Sequence, residues 1–504
     1  MITNKLIFLL IIFFNVNQLR AGIRKVTILQ TTDIHCELDS WRRDTPHGWL
    51  KLGSLITSER KKAGADKTIL IDCGDTIQGS LIGSFTKGAV AVKLLNRLKY
   101  DFWVIGNHEL DYGLDQLNKR IKEVKAIPLL ANISYPHQSK KFIPWKLIHK
   151  NGTRIAIIGM GCPDIFDRIW KEKLRGMEIL SIEESLGQTL PSIMRAKPDM
   201  IILAMHHGLY GAKKSSGNYI PSIIRKYPQI DLVLGGHFHQ EEPGKKIGLS
   251  TLYAQSGSHG KYLLRAVASI DTSKHQVTNI SSRLISVKKS TRESITMKEA
   301  IKQESFASKK YGWRKIGKLS HDLHPLNKRK SNSQLSEFYS KAIASQTGAD
   351  IVLQSSGSDY TLNKGDLTEW DLFRAYPFED SICLLDMTKQ QFTEIIEEQL
   401  IQVRDKRFLS PYGLTIIIDT NNKIKQCILG NGKIWDDNSR QTVAINSYSL
   451  AGAGRRFPIL QRIALMPGFN SRDTKITLRD AVRAYMRNTQ VITIRETQRI
   501  RTKK

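Results

Sequence analysis

The chain has 504 residues, 40% of them hydrophobic, so it is long enough to form two domains with buried cores and has a globular composition. With 77 Lys and Arg against 47 Asp and Glu, its formal net charge is +30, which suits phosphorylated substrates, nucleic acid or acidic membrane surfaces without choosing among them. Five scattered cysteines without CxxC spacing exclude a disulfide framework.

The N-terminus has the features of a secretory signal peptide. Lys5 precedes an apolar run at residues 6–14, and the small residues Ala21 and Gly22 follow it. The run is shorter than the roughly 20 residues that a membrane-spanning helix needs. We therefore expect residues 1–21 to be a signal peptide, the mature chain to lack a transmembrane span, and the protein to be periplasmic or secreted.

The first half of the chain repeats one pattern, in which a short apolar run ends in small or polar residues and a longer helical segment follows. This pattern is typical of α/β layers whose strands are buried on both faces. The runs that predict strands are residues 25–30, 68–72, 102–105, 155–159, 200–205 and 231–234. Helices are expected between them, for example at residues 89–98 and 114–124.

The second half is predicted to form a separate, smaller domain. Residues 286–312 are polar and basic and indicate a charged linker helix. A second pattern of apolar runs and helices, including ADIVLQSSGS and LTIIIDT, predicts an α+β domain over residues 313–490, and residues 491–504 predict a basic tail. The predicted fold is therefore α/β, with a first domain at residues 24–285, a linker helix and a C-terminal domain.

Five of the six predicted strands are followed directly by residue types that bind metals. The segments are TTDIH, DCGD, GNHELD, MHHG and GGHFH, which supply Asp33, His35, Asp75, Asn107, His108, Asp111, His206, His237 and His239. Because strand ends in an α/β sheet meet at one crevice, these residues can line a single site. Carboxylate, imidazole and amide groups without thiolate suit a hard to borderline divalent ion at a hydrolytic centre.

Each of these residues alone has an ordinary structural interpretation. A single histidine can be a buried core residue, Asn107 a turn residue, and Asp33 or Asp75 a helix cap. Their joint occurrence after successive strands is hard to produce by chance. The set therefore favours a metal centre, in which a bridging Asp75 could hold two ions about 3.5–4 Å apart.

The ordered blocks D-x-H, G-D, G-N-H-E, H-x-G and G-H-x-H resemble the calcineurin-like metallophosphoesterases. The stretches TTDIH, GDTIQGS, GNHELDYGLDQL and ANIS resemble the 5′-nucleotidase family within that group, which includes 2′,3′-cyclic-nucleotide phosphodiesterases. The segments ADIVLQSSGS, YPFED and NSYSLAGAGRRFP extend the resemblance into the second half. It implies an N-terminal metallophosphoesterase β-sandwich flanked by helices and a C-terminal 5′-nucleotidase-type domain.

The resemblance also implies a role for each residue of the set. One divalent ion would be bound by Asp33, His35, Asp75 and His239, and Asp75 would bridge to a second ion bound by Asn107, His206 and His237. Mn, Zn, Fe and Co are all compatible with these ligands. His108 and Asp111 match the catalytic dyad of the family, in which metal-activated water attacks phosphorus while His108, oriented by Asp111, stabilises the transition state.

The segments expected to bind a nucleoside depart from the family pattern. Ser355 and Tyr360 stand where the family has asparagine and arginine, and Arg455 and Arg456 replace an acidic residue and a glycine. The aromatic candidates are Phe457, which keeps the ring of that loop, and Phe378 or Phe408 as its partner. Exchanging Asp for Arg reverses the local charge, so the two arginines could bind a second phosphate or face solvent.

Three functions remain open at this point. The leading one is a secreted two-metal phosphoesterase that hydrolyses nucleotides or related phosphate monoesters. The same core could instead cleave a cyclic nucleotide or a sulfur-centred ester. A basic, non-catalytic protein that binds nucleic acid or an acidic envelope surface is the third, and the intact ligand set argues against it. We expect a phosphorylated small molecule as partner and no stable nucleic-acid partner.

Overall fold

The structure is a computed structural model that describes residues 22–502 except 39–46, 136–141, 175, 215, 326–331, 403–406, 490 and 496. The predicted signal peptide, residues 1–21, lies outside the described residues. Within them, no helix combines the length and the apolar content needed to cross a bilayer. All five cysteines are buried and free.

The N-terminal domain contains fourteen of the described strands. They are β1 (Ile23–Thr31), β2 (Thr68–Asp72), β3 (Phe102–Val104), β4 (Ile127–Leu129), β5 (Ile133–Ser134), β6 (Trp145–Lys150), β7 (Thr153–Met160), β8 (Glu178–Ile179), β9 (Met200–Met205), β10 (Leu232–Leu234), β11 (Glu241–Ile247), β12 (Thr251–Ser256), β13 (Tyr262–Asp271) and β14 (Gln276–Ser286). Its helices are α1 (Trp49–Ala63), α2 (Leu81–Thr86), α3 (Ala89–Leu98), α4 (Leu114–Glu123), α5 (Ile182–Arg195) and α6 (Ile220–Lys226).

Two six-stranded sheets pack face to face in this domain, as the predicted β-sandwich requires. Their strand orders are β14-β13-β1-β2-β3-β4 and β11-β12-β10-β9-β7-β6. Val26, Ile71 and Phe102 of the first sheet pack against Ile157 and Ile202 of the second. Helices α1, α3 and α4 cover the outer face of the first sheet, and α5 and α6 cover that of the second. The central strands are thus buried on both faces, which explains their continuous apolar runs.

All six strands predicted in the first half are present, as β1, β2, β3, β7, β9 and β10. The pairs β1–β2, β2–β3, β7–β9 and β9–β10 are parallel. Their carboxyl ends therefore lie at one end of each sheet. The antiparallel pair β13–β14 forms one edge of the first sheet, and the antiparallel pair β11–β12 forms one edge of the second.

The connection between the domains differs from the predicted single linker helix. It contains two helices, α7 (Ile295–Ala300) and α8 (Lys302–Gly312), with the non-helical residue Ile301 between them. The preceding turn ends at Ser294, whose side chain caps α7 by accepting a hydrogen bond from the Met297 backbone. Met297 is fully buried against the N-terminal domain, so this segment is packed rather than a free linker.

The C-terminal domain has the expected α+β composition. Its strands are β15 (Lys315–Leu319), β16 (Ile351–Gln354), β17 (Gly365–Thr368), β18 (Ser381–Thr388), β19 (Ser410–Tyr412), β20 (Leu414–Ile418), β21 (Ile424–Leu429), β22 (Arg440–Asn446), β23 (Ser471–Thr477) and β24 (Ile500–Thr502). Its helices are α9 (Gln334–Thr347), α10 (Glu369–Ala375), α11 (Lys389–Gln402), α12 (Ser447–Leu450), α13 (Pro458–Ala464) and α14 (Leu478–Arg487). The central sheet has the order β19-β16-β22-β18-β23.

The segment predicted as a basic tail contains a strand of this domain. β24 pairs in parallel with β20, and Ile500 is buried in the core beneath it. The neighbouring Arg499 forms an ion pair with Glu337 at 2.7 Å and lies over the ring of Tyr412. Buried Ile500 and paired Arg499 therefore fix this segment against the C-terminal domain. These contacts join residues far apart in the sequence, so the basic composition of the segment does not predict them.

Candidate metal centre and active site

The predicted ligands converge at one end of the sandwich, and both sheets contribute. Asp33 and His35 follow β1, Asp75 follows β2 and Asn107 follows β3, whereas His206 follows β9 and His237 and His239 follow β10. The sequence predicted a crevice at the ends of one sheet. The structure instead brings together the carboxyl ends of two facing sheets.

The ligand atoms form two adjoining clusters. The first contains Asp33, His35 and His239, and the second contains Asp75, His206 and His237; within each, the ligand atoms lie within 4.8 Å of one another. Asp75 also belongs to a group with His35 and His108, so it lies between the two clusters. This position matches the bridging role that the family resemblance implies for Asp75.

The surroundings of these residues fit divalent ions. His35 Nδ1 lies 3.1 Å from the Gln78 carbonyl and His206 Nδ1 lies 2.7 Å from the Cys73 carbonyl, so each ring directs Nε2 into its cluster. Asn107 Oδ1 is buried and accepts no hydrogen bond from the described residues. A buried acceptor of this kind needs a partner, which an ion bound by oxygen and imidazole ligands would supply.

Charges within each cluster, and burial, shift the pKa values of its members. Burial opposes ionisation of Asp75, but His206 and His108 outweigh it and hold the pKa of this carboxyl well below its ordinary value. Burial likewise opposes protonation of His206, but Asp75, whose Oδ2 lies 3.0 Å from His206 Nε2, raises the pKa of the imidazole to about 9. In the first cluster, burial raises the pKa of Asp33 to about 7.

Five of the seven ligands have a left-handed backbone. Their φ angles are 52° at Asp33, 53° at His35, 54° at Asp75, 74° at His237 and 56° at His239. Non-glycine residues seldom adopt this conformation, and such residues concentrate at functional sites. The adjoining Gly74 is required by close packing, since a Cβ there would lie 2.6 Å from the Gly106 nitrogen.

Glu109 supports the loops from behind, a role that sequence analysis did not assign. Its buried carboxylate accepts hydrogen bonds from the backbone nitrogens of Asp75 (2.8 Å), Thr76 (2.6 Å), Ile77 (3.2 Å) and Gly106 (2.7 Å). One side chain therefore ties the loop after β2 to the loop after β3. The GNHE block contained this glutamate, but nothing local in the sequence shows which amides it meets.

The two residues of the candidate dyad lie within hydrogen-bond distance of each other. His108 Nδ1 lies 2.7 Å from Asp111 Oδ2, and the His108 backbone nitrogen donates to Asp75 Oδ1 at 2.8 Å. Burial lowers the pKa of His108, but Asp111 and Asp75 raise it more, to about 10. The imidazolium is 30% exposed, so it is a cation that a ligand can reach beside the metal centre.

A cavity of about 270 Å³ opens next to the dyad, between the two domains. It is lined by Asn107, His108, Leu110, Asp111, Arg168, Ile169, Lys173, Gly357, Phe378, Glu379, Asp380, Arg407, Ser447, Tyr448 and Arg456. Two of the sequence candidates for substrate binding, Phe378 and Arg456, are therefore at the cavity.

The other substrate candidates lie elsewhere. Phe457 is only 1% exposed in the C-terminal core, as is Phe408, so neither offers a ring face to a ligand. The Tyr360 hydroxyl donates a hydrogen bond to Asp371 at 3.3 Å, and its ring packs against a hydrophobic cluster of the C-terminal domain. Arg455 points to Asp167, with Nε 2.7 Å from Oδ2.

The remaining candidate, Ser355, does not line the cavity, and its carbonyl accepts from the Gln354 side chain.

Three further residues belong to the site and were not identified from sequence. His259, whose ring centroid is 5.2 Å from that of His35, follows β12 in the segment GSHG. That segment repeats the pattern of a histidine after a strand, but His259 lacks the paired spacing of His237 and His239, so the sequence alone favours an ordinary surface residue or one behind the ligands. Arg168 and Tyr448 reach the cavity from irregular segments, where no sequence pattern marks them.

Comparisons with known proteins agree with this geometry. The profile of the calcineurin-like phosphoesterases matches residues 26–241, and that of the 5′-nucleotidase C-terminal domain matches residues 315–462. A trifunctional nucleotide phosphoesterase of Bacillus subtilis is 29% identical over an alignment of 280 positions, which covers 47% of this chain and 19% of that protein. The chain thus spans about a fifth of that relative's own length.

Other relatives match over nearly the full chain. A 5′-nucleotidase of Vibrio cholerae is 23% identical over 88% of this chain and 87% of that protein. A Staphylococcus aureus structure, described as a candidate 5′-nucleotidase, has the same fold, with a TM-score of 0.79 at 19% identity over 95% of this chain and 100% of that one. On the two profiles and their order, the chain combines an N-terminal domain of the calcineurin-like phosphoesterase family with a C-terminal domain of the 5′-nucleotidase type.

Proposed function

We propose that the chain is a metal-dependent hydrolase that releases phosphate from nucleotides or related phosphate monoesters, and that it uses two divalent ions. The observation that carries the proposal is the convergence of six candidate ligand side chains, from four strands of two sheets, beside a His–Asp dyad and the buried, unpartnered Oδ1 of Asn107. The relatives are named as nucleotidases and a nucleotide phosphoesterase, which favours nucleotides as the substrate class.

In this proposal the two clusters hold the ions. Asp33, His35 and His239 would hold one ion, Asn107, His206 and His237 would hold the other, and Asp75 would serve both. When bound, divalent ions such as Mn, Zn, Fe or Co would polarise the phosphoryl oxygens and activate water. The chain itself fixes the rings: backbone carbonyls hold the Nδ1 sides of His35 and His206, so that both rings keep their orientation without substrate.

Two cations face the reacting phosphate. His108, oriented by Asp111, offers its Nε2 side to the cavity and stabilises the charge that develops on the phosphoryl group. Arg168 is the second, because it lines the same cavity and is close to the ligand His237: burial, then the charges of His206 and Arg168, hold the pKa of His237 well below its ordinary value. Asp164 fixes Arg168 through an ion pair at 3.3 Å.

The organic part of the substrate lies against aromatic rings. Phe378, which is 39% exposed, and Tyr448 are the two aromatic residues lining the cavity. Phe378 is fixed by an edge contact with buried Tyr376, whose ring centroid is 5.3 Å away. A nucleobase gains about 1–3 kcal/mol by stacking on such a ring. Secretion or residence in the periplasm is part of the proposal, and it depends on residues 1–21.

The test is phosphate release by the purified protein loaded with Mn²⁺ or Zn²⁺. The panel contains nucleoside monophosphates, cyclic nucleotides, sugar phosphates and an aryl phosphate, each measured with and without chelator. Asn107→Ala removes one ligand, and Asn488→Ala, an exposed asparagine on the C-terminal domain, is the matched control. Metal content is measured for every variant.

Chelator-sensitive release that Asn107→Ala abolishes and Asn488→Ala keeps supports the proposal. No release from any ester by metal-loaded protein contradicts it, and salt-sensitive binding of DNA without hydrolysis would then favour the non-catalytic function.

A further inference from the structure

The charges that line the substrate cavity are not all used by the proposed reaction. The acidic lining residues are Asp111, Glu379 and Asp380, and the basic ones are Arg168, Lys173, Arg407 and Arg456. Because the cavity is small and partly enclosed by both domains, each of these charges either has a partner or favours a ligand of opposite sign.

Two of the three acidic residues of the lining are paired with cations. Asp111 is paired with His108 at 2.7 Å. Glu379 forms an ion pair with Arg479 and accepts from Ser84 Oγ at 2.6 Å. Asp380 accepts from the hydroxyl of Tyr376 at 3.3 Å. Burial raises the pKa of Asp380 to about 6 and the charge of Lys173 opposes that rise, so Asp380 offsets part of the Lys173 charge. The basic residues of the lining still outnumber the acidic ones.

Lys173 and Arg456 are different. Among the residues that the structure describes, neither of these side chains forms an ion pair or a hydrogen bond, although both are half-buried at the cavity. Lys173 comes from the N-terminal domain and Arg456 from the C-terminal domain, so the two charges approach the cavity from opposite sides of the domain interface. A half-buried charge without a partner favours binding of an anion.

The loop before Phe457 explains why two adjacent arginines have different environments. Gly452, Ala453, Gly454 and Arg455 all have positive φ angles, of 97°, 49°, 67° and 69°. This tight turn places Arg455 outside, on Asp167. The Arg456 backbone nitrogen donates to the Gly452 carbonyl at 2.8 Å, and the Arg456 side chain lines the cavity. One arginine is thus an interface residue, and the other is available to substrate.

The reacting phosphate already has its own partners in the proposed function, namely the metal ligands, His108 and Arg168. We infer that Lys173 and Arg456 form a subsite for a second phosphate, so that the preferred substrate is a bisphosphorylated ester; this inference rests on the proposed function. One water is consumed, the ester P–O bond at the metal centre breaks and orthophosphate leaves. The second phosphate stays on the alcohol product.

The test compares matched pairs of substrates with one and two phosphates. AMP is paired with adenosine 3′,5′-bisphosphate, and fructose 6-phosphate with fructose 1,6-bisphosphate. The measured quantity is the ratio of kcat/KM for the bisphosphate to kcat/KM for the monophosphate, in the wild type, Lys173→Ala, Arg456→Ala and Arg455→Ala. The last variant is the control, because it removes the neighbouring arginine that is bound to Asp167.

We expect the wild-type ratio to exceed about ten in at least one pair, since a charge-assisted contact contributes roughly a factor of ten or more. Lys173→Ala and Arg456→Ala each lower it about ten-fold, and Arg455→Ala leaves it unchanged. A wild-type ratio near one in both pairs overturns the inference. So does an equal loss on both members of a pair, which would mean that Arg456 serves the reacting phosphate.

A binding measurement separates this inference from the proposed function. If no ester is hydrolysed, the proposed function fails, and calorimetric titration with AMP and with adenosine 3′,5′-bisphosphate decides the subsite. Tighter binding of the bisphosphate that Arg456→Ala removes and Arg455→Ala keeps supports the subsite, and equal affinities overturn it.

Discussion

Replacing Glu109 with glutamine tests whether its carboxylate stabilises the two loops after β2 and β3, which carry the candidate ligands Asp75 and Asn107. Oε1 accepts from the nitrogens of Thr76 and Ile77, and Oε2 accepts from those of Asp75 and Gly106. In Glu109→Gln one oxygen becomes an amino group, so two backbone N–H donors then face another donor. Hydrogen bonds to a charged group contribute roughly 1.5–3 kcal/mol each, so the loss of two corresponds to roughly 3–6 kcal/mol before relaxation.

We expect a fall of about 3 kcal/mol in the free energy of unfolding and a loss of about 10–100-fold in metal affinity, the range for residues that orient ligands. Urea unfolding followed by the fluorescence of buried Trp49 and Trp103 measures the first, and metal retention in a chelator titration measures the second. Glu299→Gln is the control, because Glu299 is 65% exposed and lies 3.8 Å from a solvent-exposed lysine. If Glu109→Gln unfolds and retains metal as the wild type does, the carboxylate does not hold these loops.

Three further substitutions test other parts of the site. His108→Ala should lower kcat about 10²–10⁴-fold with metal content unchanged, whereas exposed His149→Ala should leave both unchanged; equal activity of the two would remove His108 from the chemistry. Tyr448→Ala should raise KM for nucleotides more than for an aryl phosphate, as measured by steady-state kinetics; an equal rise would exclude base stacking. Trp170→Ala should lower the free energy of unfolding, measured with urea, by about 3–5 kcal/mol, because Trp170 belongs to the N-terminal domain but is buried in the core of the C-terminal domain. A change below about 1 kcal/mol would refute that packing.

The strands and the ligand set could be predicted because both depend on local sequence. A strand buried on both faces needs a continuous apolar run, and a ligand at its carboxyl end must follow that run within a few residues. Asp33, Asp75 and His206 could therefore be identified without knowing which strands are neighbours. The same logic does not select His259, because β12 was not among the predicted strands and His259 lacks a paired histidine spacing.

What could not be predicted depends on contacts between distant segments. The sequence does not show that β1 and β9 belong to different sheets, so the ligands were expected at the edge of one sheet. Phe457 keeps an aromatic ring in the expected loop, but the turn before it sends that ring into the core and Arg456 to the cavity. Whether an aromatic residue is buried depends on tertiary packing, and the match of its loop to a family motif does not determine it.

The left-handed ligands show how this fold can hold its site in place. A left-handed conformation costs roughly 1–2 kcal/mol for each non-glycine residue, so five such ligands cost about 5–10 kcal/mol, comparable to the stability of a whole domain. The loops offset this cost by bracing each other: the nitrogens of Asp33 and His35 donate to the carbonyls of Gly74 and Asp75, and the nitrogen of His259 donates to the carbonyl of Asp33. Because these bonds join loops that start from two sheets, the sandwich positions the ligands before any ion binds. A divalent ion would then bind side chains that the fold has already positioned, which explains why the candidate ligands lie at strand ends rather than in flexible loops.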